Sequence, residues 1–275
     1  MTKYLVSMVC LVIALATAPA QAVPQAEPWE IWLEHDPASV QTIDHDAWQR
    51  FLARYLRIGS DGVHRVAYGE VTPEDRAALD GYIEQLAAVP IGTYNRFEQM
   101  AYWINLYNAL TVRLVLDHYP ISSIRDIDDE PRPLSGGPWD DKLVKVNGTP
   151  VSLNDIVHRI LRPIFHDPRV HYALSCAALG CANLQPEPYR GEVLDHQLSK
   201  VAMAYVNDPR CISLKDNELG LSSLYRWYQE DFGGSDSAVI NHLMGLAEPR
   251  LAMSLQQFDR IGPDGFDWRL NDATR

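Results

Sequence analysis

The sequence predicts an α+β fold, rich in helix, with a small central β-sheet or hairpin. Three observations predict it. Apolar residues recur at helical spacing over most of the chain, and β-rich runs are confined to the middle, at residues 143–151 and 169–176. The regular strand–helix alternation of a doubly wound parallel sheet is missing. No internal repeat, Gly/Ser linker or charge block interrupts the 275 residues, so residues 35–272 are expected to form one domain.

The chain opens on Lys3, a short apolar run and "APAQA", the pattern of a secretory signal peptide over residues 1–22 with cleavage after Ala22. Residues 23–34 follow as an expected flexible segment. Export implies a periplasmic or secreted protein, with no stable membrane insertion once the leader is removed. The formal net charge of −12 argues against nucleic acid as a partner, because phosphate contacts need a surplus of Lys and Arg. A hydrophobic content of 47% beside 22% charged residues is ample for a core without staples.

Each helix carries its own signals. Trp48, Phe51, Leu52 and Tyr55 place a first helix on residues 45–56. Thr72-Pro73 starts a second, since proline is tolerated where the first N–H has no intrahelical acceptor. Asn95 and Glu98 read as a cap before residues 99–120, the longest helical pattern, whose apolar residues cover most of its circumference. Asn105 and Asn108, three apart, are neighbours on that helix. They either tether a loop or line a site, because a buried unpaired amide costs about 1–3 kcal/mol.

Asn147-Gly148 between β-rich runs predicts a hairpin with a type I′ turn. Ser152 and Asp155 then start a helix over 153–165, with Leu153, Ile156, Val157, Ile160 and Leu161 in one stripe. His158 lies well off that stripe and is expected to face solvent or a cleft. Residues 169–176 alternate as a strand. Helices follow over 191–208, 221–232 and 235–248, and the tail 263–273 carries Phe266 and Trp268 and is expected to dock.

The run "DPRVHYALSCAALGC", residues 167–181, concentrates the reactive side chains. In a strand His171 and Cys176 would face opposite sides and stand about 16 Å apart, too far for direct proton transfer. His158, on a separate element, is the better partner for a Cys176 thiolate. Asn105, Asn108 or Asp155 could orient it. Two other readings stay open: a Cys176–Cys181 disulfide, suited to an oxidising compartment, and a zinc site from His158, His171, Cys176 and Cys181. A bridge would leave Cys211 as a buried thiol.

The blocks "AYWINLYNALTVRLVLDHYPISSIRDI", "VNGTPVSLNDIVHRILRP", "DPRVHYALSCAALGCANLQPEPY", "LYRWYQEDF" and "FDWRLND" together resemble the family called domain of unknown function 547, over about residues 90–272. The resemblance marks Trp103, Asn105, Tyr107, Asn108, His158, His171, Cys176, Cys181 and Trp268. It implies a shared fold and site, with Trp103, Tyr107 and His171 on the binding side, but no established reaction. Val157-His158-Arg159 stands where relatives usually carry Glu-His-Gly, and Ala182-Asn183 where they carry Pro-Pro. The element order also resembles papain-like and transglutaminase-like hydrolases, although those place the cysteine on the buried helix. The expected activity is therefore cysteine-dependent hydrolysis or acyl transfer on an amide or thioester, without a cofactor, acting on a small molecule, peptide or envelope component. The competing expectation is a non-catalytic binding domain held by a structural disulfide.

Overall fold

A computed structural model describes residues 24–127, 137–215 and 217–274. The expected signal peptide lies outside the described residues. Helix α1 (Asp46–Tyr55) turns its aromatic face inward and packs on α2 (Pro73–Ala87). The Thr72 hydroxyl caps α2 by accepting from the Asp75 amide at 3.2 Å. Between them, β1 (Leu56–Ile58) and β2 (His64–Val66) pair antiparallel.

Helix α3 (Arg96–His118) runs through the centre, buried from Glu98 to Val112. Asn95 caps it through the Glu98 amide at 3.1 Å. Glu98 does not reach back to complete a capping box. Its carboxylate accepts instead from the backbone of Ile43 at 2.7 Å and Gly191 at 3.0 Å. A side chain on Gly191 would put its Cβ 2.4 Å from that carboxylate and 2.7 Å from the Glu98 amide, so only glycine permits this approach.

The expected hairpin is β3 (Val144–Val146) and β4 (Thr149–Val151), with Asn147 and Gly148 at φ of 46° and 81°, as a type I′ turn requires. Helix α4 (Leu194–Val206) precedes a three-stranded sheet in which β5 (Ile212–Lys215) and β6 (Glu218–Ser222) are antiparallel. The tail supplies the parallel third strand, β7 (Asp264–Gly265). Residues 221–232 form a single turn of helix, α5 (Leu224–Trp227), and a 3₁₀ turn, rather than one long helix. Two helices, α6 (Asp236–Leu246) and α7 (Pro249–Leu255), complete the described elements. About half of the structure is helical beside three small sheets, which is the expected helix-rich α+β class. Among the described residues no helix is long and apolar enough to cross a membrane.

Two local expectations are corrected. Ser152 and Asp155 do cap each other, the Asp155 amide donating to the Ser152 hydroxyl and the Ser152 amide to the carboxylate. The helix they start is, however, a π-helix over Asp155–Phe165, with hydrogen bonds five residues apart. The strand expected over 169–176 is a 3₁₀ helix, Pro168–Tyr172, followed by irregular chain. Asp167 caps it by accepting from the Arg169 amide at 2.9 Å, and Pro168 fits its first turn. That local start signal outweighed the strand-like alternation. Residues 24–29 lie against the π-helix, and Trp32 just beyond them is buried against Trp103 at 5.1 Å.

The tail docks as expected. The Tyr68 and Tyr119 hydroxyls donate to Asn271 at 2.9 Å and Asp272 at 2.8 Å, and Leu270 bridges to Ala178.

Asn108 tests the weight of these buried amides. It donates to Ala173 O at 3.0 Å and accepts from Ser175 N at 2.8 Å. Asn108→Ala strands both backbone groups in the interior, and a loss of about 1–3 kcal/mol is expected in urea unfolding at neutral pH. An unchanged midpoint would show that the clamp contributes nothing.

Candidate functional site

The π-helix carries His158 and, four residues on, Arg162. The 3₁₀ helix carries His171, and the 3₁₀ turn Gln229–Phe232, following α5, carries Asp231. These four side chains form one hydrogen-bonded cluster. Arg162 binds the Asp231 carboxylate through two nitrogens, Nε at 2.6 Å and Nη2 at 2.9 Å. Its Nη1 donates to His158 Nδ1 at 2.9 Å, and His171 Nε2 meets Asp231 Oδ2 at 2.7 Å. Tyr228 lies across the cluster, stacked on His171 at 3.9 Å and on His158 at 6.1 Å, with the Arg162 guanidinium 5.1 Å from its centroid. The hydroxyl of Tyr107, reaching in from α3, faces Trp139 and Tyr228.

Protonation follows from these partners. A guanidinium has only donors, so His158 Nδ1 must accept and the imidazole proton sits on Nε2. Burial, and then the Arg162 charge, push the His158 pKa down from 6.5 to about 3. Burial also lowers His171, outweighing the raising effect of Asp231, so a neutral ring donates its Nε2–H to the carboxylate. Burial by itself would raise Asp231. Hydrogen bonds from His171 and Arg162 outweigh it and hold the carboxyl well below the usual carboxylate range. The pair at the centre is thus Arg162⁺–Asp231⁻, flanked by two neutral histidines. Among the described residues His158 Nε2 has no hydrogen-bond partner, which leaves one N–H for something else.

Cys176 and Cys181 are joined in a disulfide, with their Cα atoms 5.8 Å apart. Neither sulfur is then a thiolate for nucleophilic attack or for zinc, and among the described residues no group of three or more His, Cys, Asp or Glu side chains is arranged to hold a metal. Cys211 is buried, beside the Tyr225 hydroxyl at 3.3 Å, and burial pushes its thiol up to about 12. Asn105 is fully buried. It donates to Tyr189 O at 2.8 Å and accepts from Tyr189 N at 3.0 Å, with His45 Nε2 at 3.3 Å. Asn105 and Asn108 therefore hold two different loops, Asn108 the one that leads from His171 to Cys176. Trp103 belongs to the core, edge-on to Trp32 and Tyr102. His158, His171 and Tyr107 do converge, around Tyr228.

Arg162, Asp231 and Tyr228 were not anticipated. Arg162 had a sequence signal, since four residues beyond His158 on a helix put it on the same face. Asp231 and Tyr228 lie in the block "LYRWYQEDF" that carries part of the family resemblance, but nothing in the sequence ties them to His171, some 60 residues away. Two open clefts, of about 360 and 580 Å³, lie elsewhere, one against β5–β6 and the tail and the other against β5 and α7. We place the site at the cluster rather than at these openings, because it joins two histidines and an Arg–Asp ion pair in one hydrogen-bonded group and leaves one histidine N–H without a partner among the described residues.

Residues 91–206 match the family model described as "Protein of unknown function, DUF547". That segment includes α3, the hairpin, the π-helix, the 3₁₀ helix and both bridged cysteines, while Asp231 and Tyr228 fall after it. No curated protein and no solved structure matches the chain.

The buried histidines set a pH dependence. His45, with its Nδ1 2.7 Å from the Tyr82 hydroxyl, is pushed down from 6.5 to about 4, first by burial and then by Arg190. Lowered folded values mean that the unfolded chain takes up protons that the folded chain refuses. Stability is therefore complete above about pH 6.5 and falls as the pH drops toward 4. Between pH 7.5 and 4.5, His45 and His158 are each expected to remove about 2–3 kcal/mol. Urea midpoints at the two pH values check this, with His158→Gln removing part of the slope; identical midpoints would mean that the rings are not held neutral.

Proposed function

With the DUF547 match over residues 91–206 as the premise, we propose that this protein is an extracytoplasmic interaction domain whose Cys176–Cys181 disulfide is structural. One observation carries the reading: the reactive groups expected to perform chemistry are already committed. The Cys176 sulfur is in the bridge, and the amides of Asn105 and Asn108 are satisfied by loop backbone. Within the cluster, His158 Nε2 keeps an N–H without a hydrogen-bond partner among the described residues. The bridge closes a short loop that also pairs with the tail through Leu179 N and Gly180 N, so it braces a junction. A bridge suits an oxidising compartment, in agreement with the leader-like N-terminus. The acidic balance of the chain argues for a partner other than nucleic acid, such as a peptide or envelope component.

A second reading is favoured by the His171–Asp231 pair, which resembles the oriented histidine of acyl-transfer enzymes. In that reading a dithiol reductant has opened the bridge, and Cys176 gives its proton to His158 and attacks the amide or thioester carbonyl, expelling the amine or thiol, which takes up that proton. Water then cleaves the acyl–sulfur bond, giving a carboxylic acid and the free Cys176 thiol.

Peptide mapping of unreduced protein, alkylated under denaturing conditions, separates the two. The expected product is a fragment in which Cys176 and Cys181 are linked, with Cys211 alkylated. Alkylated Cys176 would revive the thiol reading. Cys176→Ser, assayed with a thioester panel, should then lose at least about 100-fold in rate if the sulfur is the nucleophile.

A further inference from the structure

The π-helix is crossed by residues 24–29, and the way it holds them is the way a protein holds a bound peptide. Glu27 N donates to His158 O at 3.1 Å and Trp29 N to Arg159 O at 2.9 Å. Pro24 O accepts from Arg162 Nη1 at 3.0 Å, the same nitrogen that reaches His158. The Trp29 ring lies under the Arg159 guanidinium at 3.9 Å and edge-on to Trp32 at 6.1 Å.

The site is built into the helix. With hydrogen bonds running five residues back, His158 O awaits an N–H from residue 163, and residue 163 is proline. A carbonyl of the helix is thereby left open to an outside donor, and Glu27 fills it. The crossing segment is held at few points: residues 24–28 are all exposed, and its contacts are two backbone amides, one carbonyl and one aromatic ring. Its donors are Glu27 and Trp29, and the residue between them, Pro28, has no N–H to give. A proline therefore fits there without loss.

We propose that this face of the π-helix is a recognition site for open, proline-containing peptides ending in an aromatic residue, and that residues 24–29 occupy it in the resting chain. Arg162 reads a carbonyl at the first position, the carbonyls of His158 and Arg159 read amides three and five residues on, and Arg159 with Trp32 reads the aromatic side chain. The proposal rests on the interaction-domain reading and names its partner class. Because the resident segment is tethered, it competes at an effective concentration on the order of millimolar, and an outside peptide binds only when it is displaced.

The test uses the full chain, its Trp29→Ala variant, and its Glu27→Pro variant, which lacks the amide that meets His158 O. The ligand is a capped Pro-Gln-Ala-Glu-Pro-Trp peptide, and a control peptide has alanine in place of its tryptophan. Hydrogen exchange at the amides of residues 27 and 29, where present, reports release of the segment. The His158 ring resonance and fluorescence anisotropy report binding. Faster exchange in both variants is expected, with the capped peptide binding them at least about tenfold more tightly than the unaltered chain and the control peptide not binding. Released segments without a gain in peptide affinity would overturn the proposal. So would amides that stay protected in both variants, or equal binding of the control peptide. An intact Cys176–Cys181 bridge with no peptide binding rejects this site alone, whereas a free, reactive Cys176 in a chain that binds the peptide rejects the premise alone.

Discussion

A helix buried on all sides can carry polar side chains only if each finds a partner, and that constraint organises the described structure. Glu98, Gln99, Asn105 and Asn108 all lie on α3, and all are nearly or fully buried. Their partners are backbone groups of loops: Ile43 and Gly191 for Glu98, Glu34 and Ile91 for Gln99, Tyr189 for Asn105, and Ala173 with Ser175 for Asn108. The desolvation that would penalise an unpaired amide thus becomes the force that fixes five stretches of loop against one rod. Gly191 shows how tight the fit is, since a single added carbon would collide with the Glu98 carboxylate and with the helix backbone.

The candidate site inherits its geometry from this arrangement. Asn108 fixes the chain just after the 3₁₀ helix that bears His171, and the hydroxyl of Tyr107, one residue earlier on α3, hydrogen-bonds with Trp139. Asp231 then meets His171 and Arg162 together. Burial is the first cause that keeps both imidazoles neutral, and the Arg162 guanidinium adds to it, as the second cause at His158 and a smaller one at His171. Arg162 is therefore the charged residue that touches both halves of the cluster, through His158 Nδ1 and through the carboxylate that His171 meets.

Legibility in the sequence followed the range of the interaction. Caps and turns were readable because their partners are within a few residues: Thr72 with Asp75, Asn95 with Glu98, Ser152 with Asp155, and the Asn147-Gly148 turn. At Pro168–Tyr172 the alternation of apolar residues predicts a strand, while Asp167-Pro168 carries the start signal of the 3₁₀ helix that forms. The π-helix was read as an ordinary helix, since its apolar stripe fits both and only Pro163 hinted at an irregular register. Among the expected site residues, His158 and His171 lie in one cluster with Arg162 and Asp231. Cys176 was found and lies in the bridge that had been weighed as an alternative. Asp231 and Tyr228 lie in the block "LYRWYQEDF", yet their partners are some 60 residues away, and no local pattern pairs them with His171.

By itself the sequence determined what short-range chemistry dictates: a helix-rich α+β class, the starts of α2, α3 and the helix at Ser152, the hairpin, and a set of polar residues that had to find partners if buried. Tertiary structure decided which partners those were. It committed Asn105 and Asn108 to different loops, joined Cys176 to Cys181, and carried Asp231 across to Arg162 and His171. The physical reason is that a cap is settled by one turn of backbone, whereas a buried polar group is settled by whichever segment the fold packs against it.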